Sequence, residues 1–135
     1  MVGILLMTHA PLGQAFLAAV AHVFRGPTEH LEAIDVVADQ DLNEVQSLAA
    51  AAIKRLDDGA GVLVITDVKG GTPANCCNKL ADAGLVEVIA GISLPMLLRA
   101  ITYRTDTLDV VVEMALAGAQ SGAVRVDNRI RVGTT

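Results

Sequence analysis

The feature that most constrains the fold is a regular alternation of short apolar runs with helical apolar stripes. The apolar runs are bounded by turn residues and predict buried strands at 2–8, 31–37, 61–66 and 86–92. Apolar residues at helical spacing predict helices at 12–23, 42–56, 73–83, 94–104 and 108–119. Strands that alternate with helices in this way form a parallel sheet with right-handed crossovers and helices on both faces.

The last part of the chain follows a different pattern. Residues 123–132 alternate apolar and polar side chains, which predicts a half-exposed, antiparallel edge strand. An exposed edge strand of this sort invites pairing with another chain. With the common strand order 2-1-3-4, residues 1–135 are predicted to form a single α/β domain with a doubly wound, mainly parallel sheet.

Composition and charge argue against two classes of function. The net charge is −5, only 2% of the residues are aromatic and no basic tract is present, so we expect no nucleic acid partner. The apolar runs are shorter than the roughly 18 residues that a membrane span needs, and no basic leader precedes the first strand. We therefore expect a cytoplasmic protein.

No metal or cofactor is expected from the sequence. The histidines His9, His22 and His30 stand at a strand end, within a helix and before a strand, which is not the spacing of a metal site. No Gly-Lys-Ser/Thr sequence follows the paired glycines, so nucleotide binding has no support. Adjacent Cys76 and Cys77 are interpreted as small apolar helix residues in a reducing compartment. We expect no chemical role for His22 or His30.

Polar side chains stand at the ends of the first and third predicted strands. In an open α/β sheet, ligands bind beyond the carboxyl ends of the strands, where the strand order reverses. For the order 2-1-3-4 that point lies between strands 1 and 3, which end at Thr8-His9 and Thr66-Asp67. We therefore expect His9 and Asp67 to face each other. A carboxylate that accepts a hydrogen bond from one ring nitrogen leaves the other nitrogen as a nucleophile.

The loop that follows has the chemistry of an anion site. Gly70 and Gly71 let backbone N–H groups approach an anion, and Thr72 adds a hydroxyl donor. A helix predicted to begin at Pro73 points its positive end at the same place. With the histidine, these groups suit a bound phosphoryl group. Taken singly, each also has an ordinary structural interpretation: a polar loop histidine, a turn-capping aspartate and a loop-to-helix turn.

Three stretches of the chain resemble the mannose-family enzyme IIA of the bacterial phosphotransferase system. They are MTHAPLG at 7–13, TDVKGGTPANCCNKL at 66–80 and VIAGISLPML at 88–97. The resemblance extends over essentially the whole chain, and spacing and order both agree. It implies a phosphotransferase component with a phosphohistidine intermediate.

The resemblance implies a role for individual residues and partners. In that family a histidine after the first strand accepts a phosphoryl group from the phosphocarrier protein HPr and passes it to a IIB partner; its position here is that of His9. The family's aspartate, hydrogen-bonded to the histidine, falls on Asp67, and the hydroxyl of its glycine turn falls on Thr72. The resemblance implies a separate IIB protein as acceptor, for sugar uptake or regulation, and a location at most peripheral to a membrane permease.

The resemblance also implies an assembly. The family fold ends in an antiparallel strand that is exchanged within a homodimer. The apolar residues of the alternating segment are then candidates for the dimer interface: Val124, Val126, Ile130 and Val132.

Three alternatives stay open at this point. A receiver-type signalling domain shares the fold class and would be phosphorylated on Asp67, although receivers need acidic metal ligands where this chain has Thr8-His9. The phosphotransferase subunit of dihydroxyacetone kinase also uses a histidine after strand 1. A regulatory or sensor domain would share the phosphohistidine chemistry without passing phosphate to sugar.

Overall fold

The protein forms a four-stranded parallel sheet. The computed structural model describes residues 1–69, 71, 73, 80 and 85–126. The strands are β1 (Gly3–His9), β2 (Leu31–Val36), β3 (Val62–Thr66) and β4 (Val86–Ala90). Their order in the sheet is β2-β1-β3-β4, and every neighbouring pair is parallel. The predicted parallel sheet and its order 2-1-3-4 are therefore confirmed.

Helices accompany this sheet in the described part of the chain. They are α1 (Leu12–Phe24), α2 (Leu42–Leu56), α3 (Leu94–Thr102) and α4 (Leu108–Gly122). None of these helices is long and apolar enough to cross a membrane. The predicted helix 73–83 lies outside the described residues except for Pro73 and Leu80.

The core lies on both faces of the sheet. Every residue of β1 from Gly3 to Thr8 is buried. Leu5 and Met7 belong to an apolar cluster with α2 on one face, whereas Ile4 and Leu6 belong to a second cluster with α1, α3 and α4. A strand that is buried on both faces needs apolar residues at every position, which explains the uninterrupted run in the sequence. The predicted doubly wound arrangement is confirmed.

The predicted antiparallel edge strand 123–132 is not seen in the described residues. Residues 124–126 are described and do not form a strand, and the remainder of that segment lies outside the described residues. Val124 and Val126 are 68% and 80% exposed, whereas Ile130 and Val132 lie outside the described residues. The exchanged strand and the homodimer stay predictions.

The helix starts differ in how their free N–H groups are satisfied. The side chains of Asp41, Ser93 and Thr107 cap α2, α3 and α4 by accepting a backbone N–H from the first turn. The residue before α1 is Pro11, whose side chain makes no such bond. The start of α1 therefore depends on a polar group from another element.

Candidate functional site

His9 and Asp67 meet at the carboxyl edge of the sheet. His9 ends β1, and Asp67 follows β3 directly, so the pairing of these parallel strands brings both to one edge. The ring Nδ1 of His9 lies 2.8 Å from Oδ2 of Asp67. The same oxygen accepts the backbone N–H of His9 at 2.9 Å. The structure therefore brings together the two residues that the strand order predicted to face each other.

The two side chains differ in their access to solvent. The His9 side chain is 54% exposed, whereas the Asp67 side chain is 9% exposed. Burial acts to raise the pKa of the Asp67 carboxyl, but hydrogen bonds from the backbone and ring of His9 outweigh it and hold that pKa below its ordinary value. A visiting protein can thus reach the imidazole, while the carboxylate behind it stays ionised at neutral pH.

The hydrogen bond to Asp67 determines which ring nitrogen is free. An ionised carboxylate can only accept hydrogen bonds, so Nδ1 of His9 must carry a proton. In the neutral imidazole the lone pair is then on Nε2. The arrangement leaves Nε2 as the ring nitrogen with an available lone pair.

Gly71 lies against the edge of the His9 ring. A Cβ atom added to Gly71 would lie 3.2 Å from Cε1 of His9, the carbon between the two ring nitrogens. The backbone N–H of Gly71 donates to the carbonyl of Val68 at 3.2 Å, which closes the turn after Asp67. Among the predicted phosphoryl-binding residues, the structure places Gly71 beside the histidine. Gly70 and Thr72 lie outside the described residues.

An open groove beside the histidine was not anticipated from the sequence. Its volume is about 360 Å³. Its wall is the loop from β2 to α2, in which Val37 is 53% exposed and Asp39 has a left-handed backbone with φ 64°. The residues that line it are His9, Ala10, Val36, Val37, Ala38, Asp39 and Gln40. Asp39 adopts positive φ without being glycine, so this turn carries only a weak signal in the sequence.

Asp35 is a second carboxylate near the histidine that sequence reasoning missed. It lies on β2 directly opposite Thr8 of β1. Its Oδ1 atom accepts the Thr8 hydroxyl at 3.1 Å and the Gly13 backbone N–H at 2.8 Å. The available signal was an acidic residue within the last half of the predicted strand LEAIDVV, whose other acidic residue, Glu32, stands near its start. An ionised side chain within a sheet needs partners.

The other histidines are not part of this site. His22 is exposed on α1, and His30 lies before β2 with φ 54°. The carbonyl of His30 accepts the N–H of Ile4 near the amino end of β1, which is the opposite edge of the sheet. Within the described ranges, no group of three or more metal-ligating side chains comes together.

The chain is similar to known components of the bacterial phosphotransferase system. Residues 3–116 match the family model described as PTS system fructose IIA component, EIIA-man. The mannose-specific EIIAB component of Escherichia coli K12 is 29% identical over 124 residues, which is 90% of this chain and 38% of that protein. The sorbose-specific EIIA component of Lacticaseibacillus casei is 35% identical over 98 residues, or 70% of this chain and 68% of that protein.

A solved structure shares the fold. The phosphotransferase system component EIIA from Streptococcus agalactiae superposes with a TM-score of 0.83 at 25% identity, over 93% of this chain and 97% of that one. The chain spans 38% of the length of the EIIAB relative, but 68% of the sorbose-specific one. The family model accounts for nearly all of the sheet and its helices. The chain therefore belongs to the EIIA-man family of IIA components of the sugar phosphotransferase system.

Proposed function

We propose that this IIA component carries a phosphoryl group on His9, which it accepts from phospho-HPr and passes to a IIB protein in the cytoplasm. The observation that carries the proposal is the hydrogen bond between Nδ1 of His9 and Asp67, at 2.8 Å, on a ring that is 54% exposed. That bond leaves Nε2 as a free nucleophile, and the exposure leaves it within reach of a protein partner.

The transfer is an in-line displacement at phosphorus. The Nε2 lone pair of His9 forms the new nitrogen–phosphorus bond, while the bond from phosphorus to HPr breaks and its electron pair leaves with HPr. The imidazole gains positive charge, and the proton on Nδ1 stays in its hydrogen bond to Asp67. The carboxylate stabilises that charge. In the second transfer a nucleophile of IIB attacks phosphorus, and the electron pair returns to Nε2.

The glycine turn is proposed to hold the oxygens of the phosphoryl group. Gly71 lies against Cε1 of the ring, the carbon bonded to Nε2, so a group on Nε2 is next to the start of this turn. Backbone N–H groups of Gly70, Gly71 and Thr72, with the Thr72 hydroxyl, would supply neutral donors for the phosphoryl charge. The Gly71 N–H would have to exchange its bond to the Val68 carbonyl for one to the phosphoryl group. No metal ion is needed in this scheme.

Exposed apolar side chains near His9 suit brief contacts with partner proteins. Val37 lines the groove beside the histidine, Val68 follows Asp67, and Leu12 begins α1. Their exposed fractions are 53%, 55% and 37%. A carrier must release each partner after transfer, and such transient interfaces are small, below about 1,200 Å². We propose that HPr and IIB dock in turn on the surface formed by these side chains around His9.

A homodimer is also proposed. β4 is one of the two outer strands of the described sheet, and Glu87 is exposed while Val88, Ile89 and Ala90 are only half-buried. The apolar side chains of Val124 and Val126 are exposed as well. An exchanged C-terminal strand, 123–132, added beside β4 of a second copy, would cover both sets of apolar residues.

The test is transfer of labelled phosphate from phospho-HPr to wild-type protein, His9→Ala and His22→Ala. The second variant is a matched control because His22 is also an exposed histidine. Wild type and His22→Ala should gain a label that survives base and is lost in acid, and His9→Ala should gain none. Label on His9→Ala at the wild-type level would refute the proposal.

The same experiment separates the alternatives. A label that is lost in base and with hydroxylamine would be an acyl phosphate, as a receiver domain would form on Asp67. Incubation of the labelled protein with a IIB protein and, separately, with dihydroxyacetone kinase subunits identifies the acceptor. We expect discharge to the IIB protein.

A further inference from the structure

The start of α1 is held by a carboxylate from a neighbouring strand. Pro11 offers no capping side chain, and the first turn of α1 contains no acidic residue. Instead, Asp35 of β2 accepts the backbone N–H groups of Gly13 at 2.8 Å and Gln14 at 3.3 Å. A negative charge at a helix N-terminus is favourable because the free N–H groups and the helix dipole point at it.

The same carboxylate also holds the residue before the histidine. Oδ1 of Asp35 accepts the hydroxyl of Thr8 at 3.1 Å, and the Thr8 side chain is fully buried. Asp35 therefore binds the chain on both sides of the segment 9–12, at the end of β1 and at the start of α1. His9 is the first residue of that segment.

Gly13 lies in close contact with the carboxylate of Asp35 and the hydroxyl of Thr8. A Cβ atom at Gly13 would lie 2.5 Å from Oδ1 of Asp35 and 3.0 Å from Oγ1 of Thr8. Any side chain at this position would push the carboxylate away from the start of α1. The absence of a side chain at residue 13 thus lets the carboxylate approach the helix and the strand together.

We propose that Asp35 is a positioning residue for phosphoryl transfer through His9. Asp67, after β3, orients the imidazole, and Asp35, on β2, fixes the backbone from which the imidazole extends. The two carboxylates reach the histidine segment from the strands on either side of β1. The kinetic part of this inference rests on the proposed function of His9, whereas its effect on the ring geometry does not.

Without Asp35 the backbone at His9 can shift relative to Asp67. The hydrogen bond from Nδ1 then weakens, and more of the ring adopts the tautomer with the proton on Nε2, which is not nucleophilic. A displacement of about 1 Å can slow a reaction by about 100-fold. Because Asp35 does not line the groove beside His9, its loss should leave partner binding nearly unchanged.

The experiment uses Asp35→Ala, Asp35→Asn and Thr8→Val in the full chain. Nitrogen-15 NMR of the unphosphorylated protein, with the imidazole neutral, measures the tautomer of His9. Steady-state transfer from phospho-HPr through this protein to a IIB protein, at varied phospho-HPr concentration, measures kcat and KM separately. We expect Asp35→Ala to raise the Nε2–H fraction and to lower kcat by about 10- to 100-fold, with KM within about twofold. Asp35→Asn should restore most of both, because an amide oxygen can still accept from Thr8 and Gly13.

Thr107→Ala is the matched control. Thr107 caps α4 by accepting the N–H of Val110, so its loss also removes a helix cap. The start of α4 follows Arg104, whose carbonyl accepts the N–H of Val2, and therefore lies at the edge of the sheet opposite His9. Thr107→Ala should lower the melting temperature without changing the tautomer or kcat.

The outcomes are distinguishable. If Asp35→Ala behaves like Thr107→Ala, with lower stability and an unchanged tautomer and kcat, the inference is wrong. If Asp35→Ala does not fold, Thr8→Val is used in its place, because it removes only the hydrogen bond from the Thr8 hydroxyl to Asp35 and keeps the buried volume. An unchanged tautomer of His9 in Thr8→Val overturns the inference. If wild-type protein accepts no phosphate but the tautomer still shifts in the Asp35 variants, the proposed function fails and the effect of Asp35 on the geometry of the His9 ring stands.

Discussion

The imidazole of His9 and the carboxylate of Asp67 are joined by a 2.8 Å hydrogen bond across 58 positions of the sequence. The same Asp67 oxygen also accepts the backbone N–H of His9 at 2.9 Å. One carboxylate oxygen therefore fixes both the main chain and the ring of the histidine. Rotation of the ring toward solvent would break the bond from Nδ1 to Asp67. The geometry of the pair is therefore largely set before a partner arrives.

Asp67→Asn should slow phosphoryl transfer while leaving the fold intact. An amide keeps the size of the carboxylate but removes its charge, and its NH₂ group can donate to Nδ1, which favours the tautomer with the proton on Nε2. We expect a loss of about 100-fold or more in the single-turnover rate from phospho-HPr.

Asp58→Asn is the control for this prediction. Asp58 is also an aspartate with an ion pair, to the N-terminal ammonium at 2.8 Å, but it is not near His9 in the described structure. It should transfer phosphate at the wild-type rate. An Asp67→Asn protein that transfers as fast as wild type would contradict the assigned role of the carboxylate.

The lowered pKa of Asp67 predicts how stability depends on pH. A carboxyl whose pKa is lower in the folded than in the unfolded chain binds its proton more readily when unfolded. Its stabilising contribution is present above the ordinary value of 3.8 and is lost as the pH falls through the lower, folded pKa. Urea unfolding of wild type and Asp67→Asn over about pH 7 to 2 measures this contribution. The stability difference should be constant near neutral pH and shrink below about pH 4; a difference that stays constant to pH 2 would contradict it.

The sequence could predict the pairing of His9 with Asp67 because it follows from the strand order. The apolar runs that became β1 and β3 are buried on all sides, so their positions and ends are clear from the pattern. In parallel neighbouring strands, the residues after both ends lie at one edge of the sheet. No knowledge of side-chain packing was needed.

The role of Asp35 could not be predicted in the same way. It depends on the register that sets Thr8 opposite Asp35 and on the close approach of Gly13, and neither is encoded in local periodicity. The groove beside His9 depends on the left-handed backbone of Asp39, which a residue other than glycine rarely adopts. Contacts of these kinds come from tertiary structure, so the linear pattern indicates the strands and not the network between them.

Gly71→Ala should impair transfer without unfolding the protein. The new methyl group would lie 3.2 Å from Cε1 of His9, closer than an ordinary van der Waals contact, so the ring must move by a few tenths of an ångström. The side chain of His9 is largely exposed, so this movement costs little stability. We expect a reduction in transfer rate of about 10-fold, since reacting groups must be held closely aligned. Gly71→Val should reduce it further, and both should melt within a few degrees of wild type; equal rates for all three proteins would contradict the contact.

The proposed homodimer predicts that a charge at Val126 favours the monomer. Val126 is 80% exposed in the single chain, and an exchanged C-terminal strand would bury it against a second copy. Val126→Asp would then place an unpaired carboxylate in an apolar interface, which is strongly unfavourable. Val23→Asp is the control, because Val23 is also an exposed valine, at 46%, but lies on α1 rather than in the alternating segment. Sedimentation equilibrium should show dimers for wild type and Val23→Asp, and monomers for Val126→Asp at the same concentration. Monomeric wild-type protein, or a Val126→Asp protein that remains dimeric, would contradict exchange through this strand.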